Sequence, residues 1–212
     1  MVLQAAKGRA IADALIHIIQ SNKDYLSEID GKIGDGDHGI NMNKGFTLCQ
    51  QRLEGQEPSV SEALMTISQT LMEDIGGSMG PLYGMMFDGL GAACEGKEEI
   101  DSETFAAMLE EAVAGVQDIG GGKRGDKTLL DTLIPAQEAF SAAVAEGKDF
   151  AAALDDMKAA AEAGWRATEG MVAKVGRASR LGERSRGVLD AGATSCCLLL
   201  TALADSVKAE LA

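Results

Sequence analysis

The apolar residues of this chain recur at helical intervals almost from end to end. Ile11, Leu15, Ile18 and Ile19 fall on one face at the i, i+4, i+7, i+8 spacing, which predicts an amphipathic helix over residues 4–21. A short helical turn around Tyr25 follows. A helix from about His38 to Leu53 puts Asp37 at or near its N-cap, with unpaired N–H groups beyond it. Ser59 and Glu62 form a capping-box signature, and Val60, Leu64, Ile67 and Leu71 give the buried face of the helix they open. Pro81 starts the next helix, after Gly76, Gly77 and Gly80. Residues 102–118 show the cleanest period, through Phe105, Met108, Leu109, Ala112, Val113 and Val116. A helix over 128–145 carries Leu130, Leu133, Phe140 and Val144, and Pro135 within it demands a late start or a kink. A long helix over 149–175 is lined by Phe150, Leu154, Met157, Ala161, Trp165, Thr168 and Val172. The last helix, from Asp190 through about Val207, is apolar nearly all round and is therefore expected to be buried. No strand pattern persists, and there is no internal repeat or long linker. The pattern predicts one all-α domain of about eight helices, whose short connections make neighbours antiparallel. In such an arrangement the glycine-rich and charged loops gather at one end.

Composition narrows this reading. The chain has 212 residues, enough for a substantial core, and is 46% hydrophobic but only 4% aromatic. Ala, Leu and Met carry much of the apolar content, which favours helix over sheet. A net charge of −14 disfavours nucleic acid and anionic membranes as direct partners. The longest apolar run, Ala193 to Ala204, is too short to span a bilayer, and the first residues lack the pattern of a signal peptide. Cys49, Cys94, Cys196 and Cys197 show no zinc spacing and read as reduced core residues, which points to the cytoplasm.

Candidate chemistry concentrates in residues 30–46. Asp30, Asp35 and Asp37 are interspersed with Gly31, Gly34, Gly36 and Gly39. Carboxylates packed this closely repel one another unless a cation lies between them, and hard oxygens at a helix N-terminus suit magnesium shared with phosphate. A solvated acidic turn is the plainer alternative. The formal GxGxxG match at 34–39 lacks a preceding apolar strand, and bare pyrophosphate would be repelled by Asp35 and Asp37. An EF-hand starting at Asp35 fails at Ile40, where glycine is needed, and at Phe46, where glutamate is needed.

Three other stretches stand out. Ile75–Gly84 is either a helix connector or a small-residue loop whose N–H groups face a ligand. Gly120–Thr128 nearly matches a P-loop but has Asp126 where glycine belongs, so a flexible basic loop is the remaining functional reading. Gly176–Gly187 holds Arg177, Arg180, Arg184 and Arg186, suited to phosphate or an acidic partner, or simply solvated. Trp165 reads as core rather than as a stacking platform for a base.

Five motifs in order resemble one family. They are Ile33–Met42, Gly76–Leu82, Gly125–Thr128, Gly176–Ser179 with Leu181–Ser185, and Asp190–Thr194. The chain is similar over essentially its whole length to the nucleotide-binding L subunit of dihydroxyacetone kinase. The resemblance implies a single nucleotide-binding domain over 1–212, an eight-helix antiparallel up-and-down barrel with the nucleotide at one rim. It implies ADP or ATP held with two magnesium ions on Asp30, Asp35 and Asp37. His38, Asn41, Ser78, Met79 and Gly120 would contact the nucleotide, and Leu129 would wall the base. Arg177 would be catalytic, facing the transferred phosphoryl group, and Asp190, Ala191 and Gly192 would complete the site. The implied partners are a K subunit that binds dihydroxyacetone on a histidine of its own and a phosphotransferase-system M subunit, in a homodimer or hetero-oligomer. A nucleotide-loaded form signalling to a transcription regulator, and an ATP-dependent kinase subunit for another ketose, are the rival implications. His17 and His38 are the only histidines here, and neither has an evident activating partner. Family members often carry Pro at the place of Ala191 and Ala-Ser at that of Ser78-Met79. The His38–Met42 form is more similar to stand-alone L subunits that retain ADP.

Overall fold

The computed structural model describes residues 1–212. Nine α-helices follow one another: α1 (Gly8–Ser21), α2 (Lys23–Ile33), α3 (His38–Arg52), α4 (Val60–Asp74), α5 (Met79–Ala92), α6 (Ser102–Gly120), α7 (Leu130–Ala145), α8 (Phe150–Ala167) and α9 (Ala191–Glu210). From α3 onward each packs on the next, α9 returns to α1, and α1 packs on α3. The ring therefore has the eight members expected. The extra helix is α2, a full helix rather than a turn around Tyr25, which packs on α3, α9 and the segment after α8. The eight helices of the ring enclose a continuous apolar core in which Phe105, Phe140 and Phe150 meet with ring centroids 5.0 to 5.9 Å apart.

Contacts along the chain give the antiparallel sense. Gly80 of α5 lies against Ile75 at the end of α4, and Gly91 lies against Met65. Trp165 of α8 bonds to Thr194 at the start of α9, while Lys158 pairs with Asp205 near its end. Helix starts follow local chemistry. Ser59 and Glu62 make both bonds of the capping box, and Asp101, Asp149 and Asp190 each cap the helix that follows. Pro135 sits inside α7, where it removes one helix hydrogen bond and leaves the Asp131 carbonyl bare. Helix α8 approaches that carbonyl so closely that a β-carbon on Gly164 would lie 2.2 Å from it.

Three further expectations need correction. The first helix starts at Gly8, because Leu3–Gln4 forms a two-residue strand antiparallel to Glu99–Ile100. Two residues are too few to leave a period in the sequence. The acidic stretch is only partly a loop, since Asp30 to Ile33 belong to α2. The long helix over 149–175 stops at Ala167, with a 3-10 turn at Thr168–Gly170. Beyond it Ala173 N–H bonds to Ser185 Oγ and Lys174 N–H to the Asp126 carbonyl, so distant partners take the backbone groups that a continued helix would use. No helix is long and apolar enough to cross a membrane.

Candidate functional site

The N-termini of α3, α5, α7 and α9 converge on one end of the ring, and the candidate residues lie there. The last turn of α2 supplies Asp30, and the connection to α3 supplies Asp35 and Asp37. One carboxylate oxygen from each lies within 4.8 Å of the others. Glycine makes this possible: a β-carbon on Gly34 would stand 2.3 Å from Asp30 Oδ1, and Gly36 takes a φ of +78°. Asp37 holds the N-cap position of α3, yet its side chain makes no capping bond. That sets it apart from Asp101, Asp149 and Asp190, whose carboxylates all cap. The His38 N–H points instead at Asp30 Oδ2, 3.3 Å away. Three carboxylates converge here with few internal donors, and the Asp37 side chain makes no capping bond. This donor set fits a hard divalent cation such as magnesium.

Arg177 reaches the same cluster. It opens the 3-10 segment Arg177–Ser185 between α8 and α9, and its guanidinium pairs with the Asp35 carboxylate. The chain thus brings its own cation to the acidic loop from a position far along the sequence.

Beneath the loop runs a hydrogen-bonded chain that links three helices. His38 Nε2 lies 2.8 Å from Ser195 Oγ on α9. Tyr83 of α5 shares a 2.5 Å hydrogen bond with the same oxygen and donates to the Gly192 carbonyl at 2.8 Å. Burial pulls the His38 imidazole down to about 4, against the opposing pull of Asp30, so the ring is neutral at physiological pH. Tyr83 and Ser195 are fixtures of the site that the pattern of residues did not single out. Ser195 hides inside an apolar helix, and Tyr83 looked like part of a connector.

The remaining predicted residues take definite places. Asp190 caps α9 by accepting from Ala193 N–H at 2.7 Å, and burial pushes its carboxyl up to about 6. Ala191 is buried behind it, and Gly192 lies against Leu129, itself 5% exposed at the start of α7. Asn41 is half-buried one turn into α3. Ser78 is exposed at the N-cap position of α5 without a side-chain capping bond, and Met79 packs on the core beside it. Gly120 ends α6 against Leu82 of α5. The structure therefore joins Asp30, Asp35, Asp37, His38 and Arg177 directly, and reaches Asp190–Gly192 through Ser195 and Tyr83. Ser78 and Met79 stand at the start of α5, and Gly120 lies against Leu82 of the same helix. Gly120–Thr128 is not a loose basic loop, since Asp126 and Lys127 are both buried. Trp165 packs against the core and donates to Thr194, as a structural residue would. All four cysteines are free and buried. A surface hollow between α4 and α5, lined by Glu62, Met65, Gln69 and Asp88, lies away from this end and gathers no ligating set.

Comparison with known proteins shows the family and the fold. The DAK2 domain model matches residues 32–205. The chain is 35% identical over 202 residues to the PEP-dependent dihydroxyacetone kinase 2, ADP-binding subunit DhaL, of Listeria innocua serovar 6a, covering 90% of this chain and 89% of that one. It is 35% identical over 190 residues to the PTS-dependent dihydroxyacetone kinase, ADP-binding subunit DhaL, of Lactococcus lactis, covering 89% and 91%. The crystal structure of the dihydroxyacetone kinase of C. freundii superposes with a TM-score of 0.72 at 24% identity, covering 96% of this chain and 35% of that one. That likeness shows the fold.

Proposed function

The chain belongs to the DAK2 domain family, and from that premise we propose that it is the nucleotide-holding subunit of a dihydroxyacetone kinase. In this reading it binds ADP or ATP with two magnesium ions at the rim. It passes a phosphoryl group to dihydroxyacetone carried by a separate K subunit. The relatives named as PEP-dependent and PTS-dependent support recharging of bound ADP by a phosphotransferase-system M subunit. The observation that carries the reading is the convergence of Asp30, Asp35 and the uncapped Asp37 with Arg177 beside them.

Phosphoryl transfer asks a protein for positioning and charge neutralisation rather than for a nucleophile of its own. Asp30, Asp35 and Asp37 would hold magnesium, which when bound neutralises phosphate charge. The free N–H groups at the start of α3 favour phosphate oxygens. His38, held neutral and oriented by Ser195, would donate to or accept from the nucleotide without adding charge. Asn41, Ser78, Met79 and Gly120 would contact the nucleotide, Leu129 would wall the base, and Asp190 to Gly192 would close the site. Arg177 would leave Asp35 for the transferred group, where its planar fork can bridge two oxygens.

The test has two stages. The purified chain is expected to carry adenine nucleotide, identified by mass spectrometry after denaturation. With a K subunit, dihydroxyacetone and a phosphorylated M-type donor it should turn over, and alone it should not. A chain that retains no nucleotide and stimulates no transfer would overturn the proposal.

A further inference from the structure

Behind the acidic cluster the fold buries a lysine that the transfer chemistry does not use. Lys127 is 2% exposed and is the sole non-glycine residue with a positive φ, +64°. Burying an ammonium is unfavourable unless each of its three donors is matched. Here they are matched one to one by backbone carbonyls: Ser185 O at 2.6 Å, Val188 O at 2.6 Å and Met171 O at 3.2 Å. These three carbonyls come from the two ends of the segment between α8 and α9. The crest of that segment carries Arg177.

The lysine is itself clamped. The buried Asp131 carboxylate accepts from Gly125 N–H at 2.5 Å and Thr128 N–H at 2.8 Å, holding the turn in which Lys127 is left-handed. Asp126 accepts from Lys123 N–H at 3.0 Å through its side chain and from Lys174 N–H at 3.1 Å through its carbonyl. The two ends of the segment are tied to each other as well, by Gly187 N–H on the Glu169 carbonyl and Ala173 N–H on Ser185 Oγ. Above this knot the segment has only 3-10 structure, and Arg177, Arg180 and Arg184 are exposed. The near-match to a P-loop thus has a different use for its lysine: the ammonium binds carbonyls of the protein rather than a phosphate.

We propose that Lys127 is a positioning residue whose ammonium gathers Met171, Ser185 and Val188 and so sets the arch that brings Arg177 to Asp35. Its effect on transfer rests on the proposed function; its effect on the arch does not. In the full-length chain Lys127→Met, which fills the same space without donors, should raise the rate of tryptic cleavage at Arg177, Arg180 and Arg184 at least about tenfold. Helical circular dichroism should match that of the wild type and ADP affinity should stay within about threefold of it, while the single-turnover transfer rate falls on the order of a hundredfold. Lys127→Ala should regain protease protection and transfer when propylammonium is added, because that cation replaces the deleted arm and charge. It also keeps the test open if Lys127→Met does not fold. Lys127→Met combined with Arg177→Lys should transfer no more slowly, within about threefold, than Arg177→Lys alone, since the lysine acts through the arginine. Unchanged protease protection, absence of rescue by propylammonium, or rate losses that multiply in the double variant would each overturn the proposal. If the wild-type chain transfers nothing, the proposed function fails, and protection and rescue at the arch still decide the role of Lys127.

Discussion

Asp37→Asn should act in opposite directions on the free and the loaded protein. The three carboxylates of the cluster place oxygens within 4.8 Å of one another. At that separation two unit charges repel by about 0.9 kcal/mol in water and about 3.5 kcal/mol at an effective dielectric constant near 20. The Asp35 side chain is 46% exposed, so the lower figure applies, and physiological salt reduces it by roughly half. Arg177 already offsets part of the Asp35 charge. The net relief from removing the Asp37 charge is then about 0.5–1 kcal/mol, which raises Tm by roughly 1–4 °C in a domain of this size. The amide keeps the shape of the side chain, and no capping bond is lost because Asp37 makes none. Ligand has the reverse effect. Magnesium with ADP at ten and a hundred times the dissociation constant stabilises a protein by about 1.4 and 2.7 kcal/mol. The wild-type chain should show that rise, and Asp37→Asn should lose its magnesium-dependent share. Differential scanning calorimetry in EDTA, then with ADP, then with ADP and magnesium, reads all three states. A magnesium-dependent rise of wild-type size in the variant, or a ligand-free Tm below that of the wild type, would refute the metal assignment.

Arg177→Lys should keep ADP within about tenfold in affinity, roughly 1.4 kcal/mol, and lose on the order of a hundredfold in single-turnover transfer with saturating K subunit. A wild-type transfer rate would make Arg177 a surface residue. Tyr83→Phe deletes the donor to the Gly192 carbonyl and one partner of Ser195, so it should cost about 1–2 kcal/mol; a urea titration with an unchanged midpoint would contradict this. The folded-state pKa of Asp190, about 6, lies above its ordinary 3.8, so protonation favours the folded state. Its contribution is full below about pH 4 and is lost as pH rises through about 6. Asp190→Asn should therefore flatten that limb of the stability profile relative to wild type, and parallel profiles for the two proteins would exclude the role.

Much of this was legible locally. The capping box at Ser59 and Glu62, and the N-caps at Asp149 and Asp190, are set by residues three apart, and helix periods by residues three and four apart. The acidic cluster was legible because Asp30, Asp35 and Asp37 lie within eight residues, so a single turn brings them together. The end of α8 was not legible. Thr168 continues the apolar period, but its hydroxyl accepts from Asp190 N–H, and the chain leaves the helix to make that and later contacts. No interval of three or four carries such information.

The sequence by itself thus determined most of the helical segments, which faces are apolar, and where carboxylates and glycines crowd. Those are short-range properties, written in neighbouring residues through backbone sterics and side-chain spacing. Only the tertiary structure decided that α1 and α9 close the ring and that α2 stands outside it. It alone brought Arg177 to Asp35, and Ser195 between His38 and Tyr83. It alone turned the lysine of a failed phosphate loop inward onto the carbonyls of a distant segment. Each of these pairs residues far apart in the chain. What joins them is the enclosure of one apolar core, inside which polar groups must find one another because water is absent.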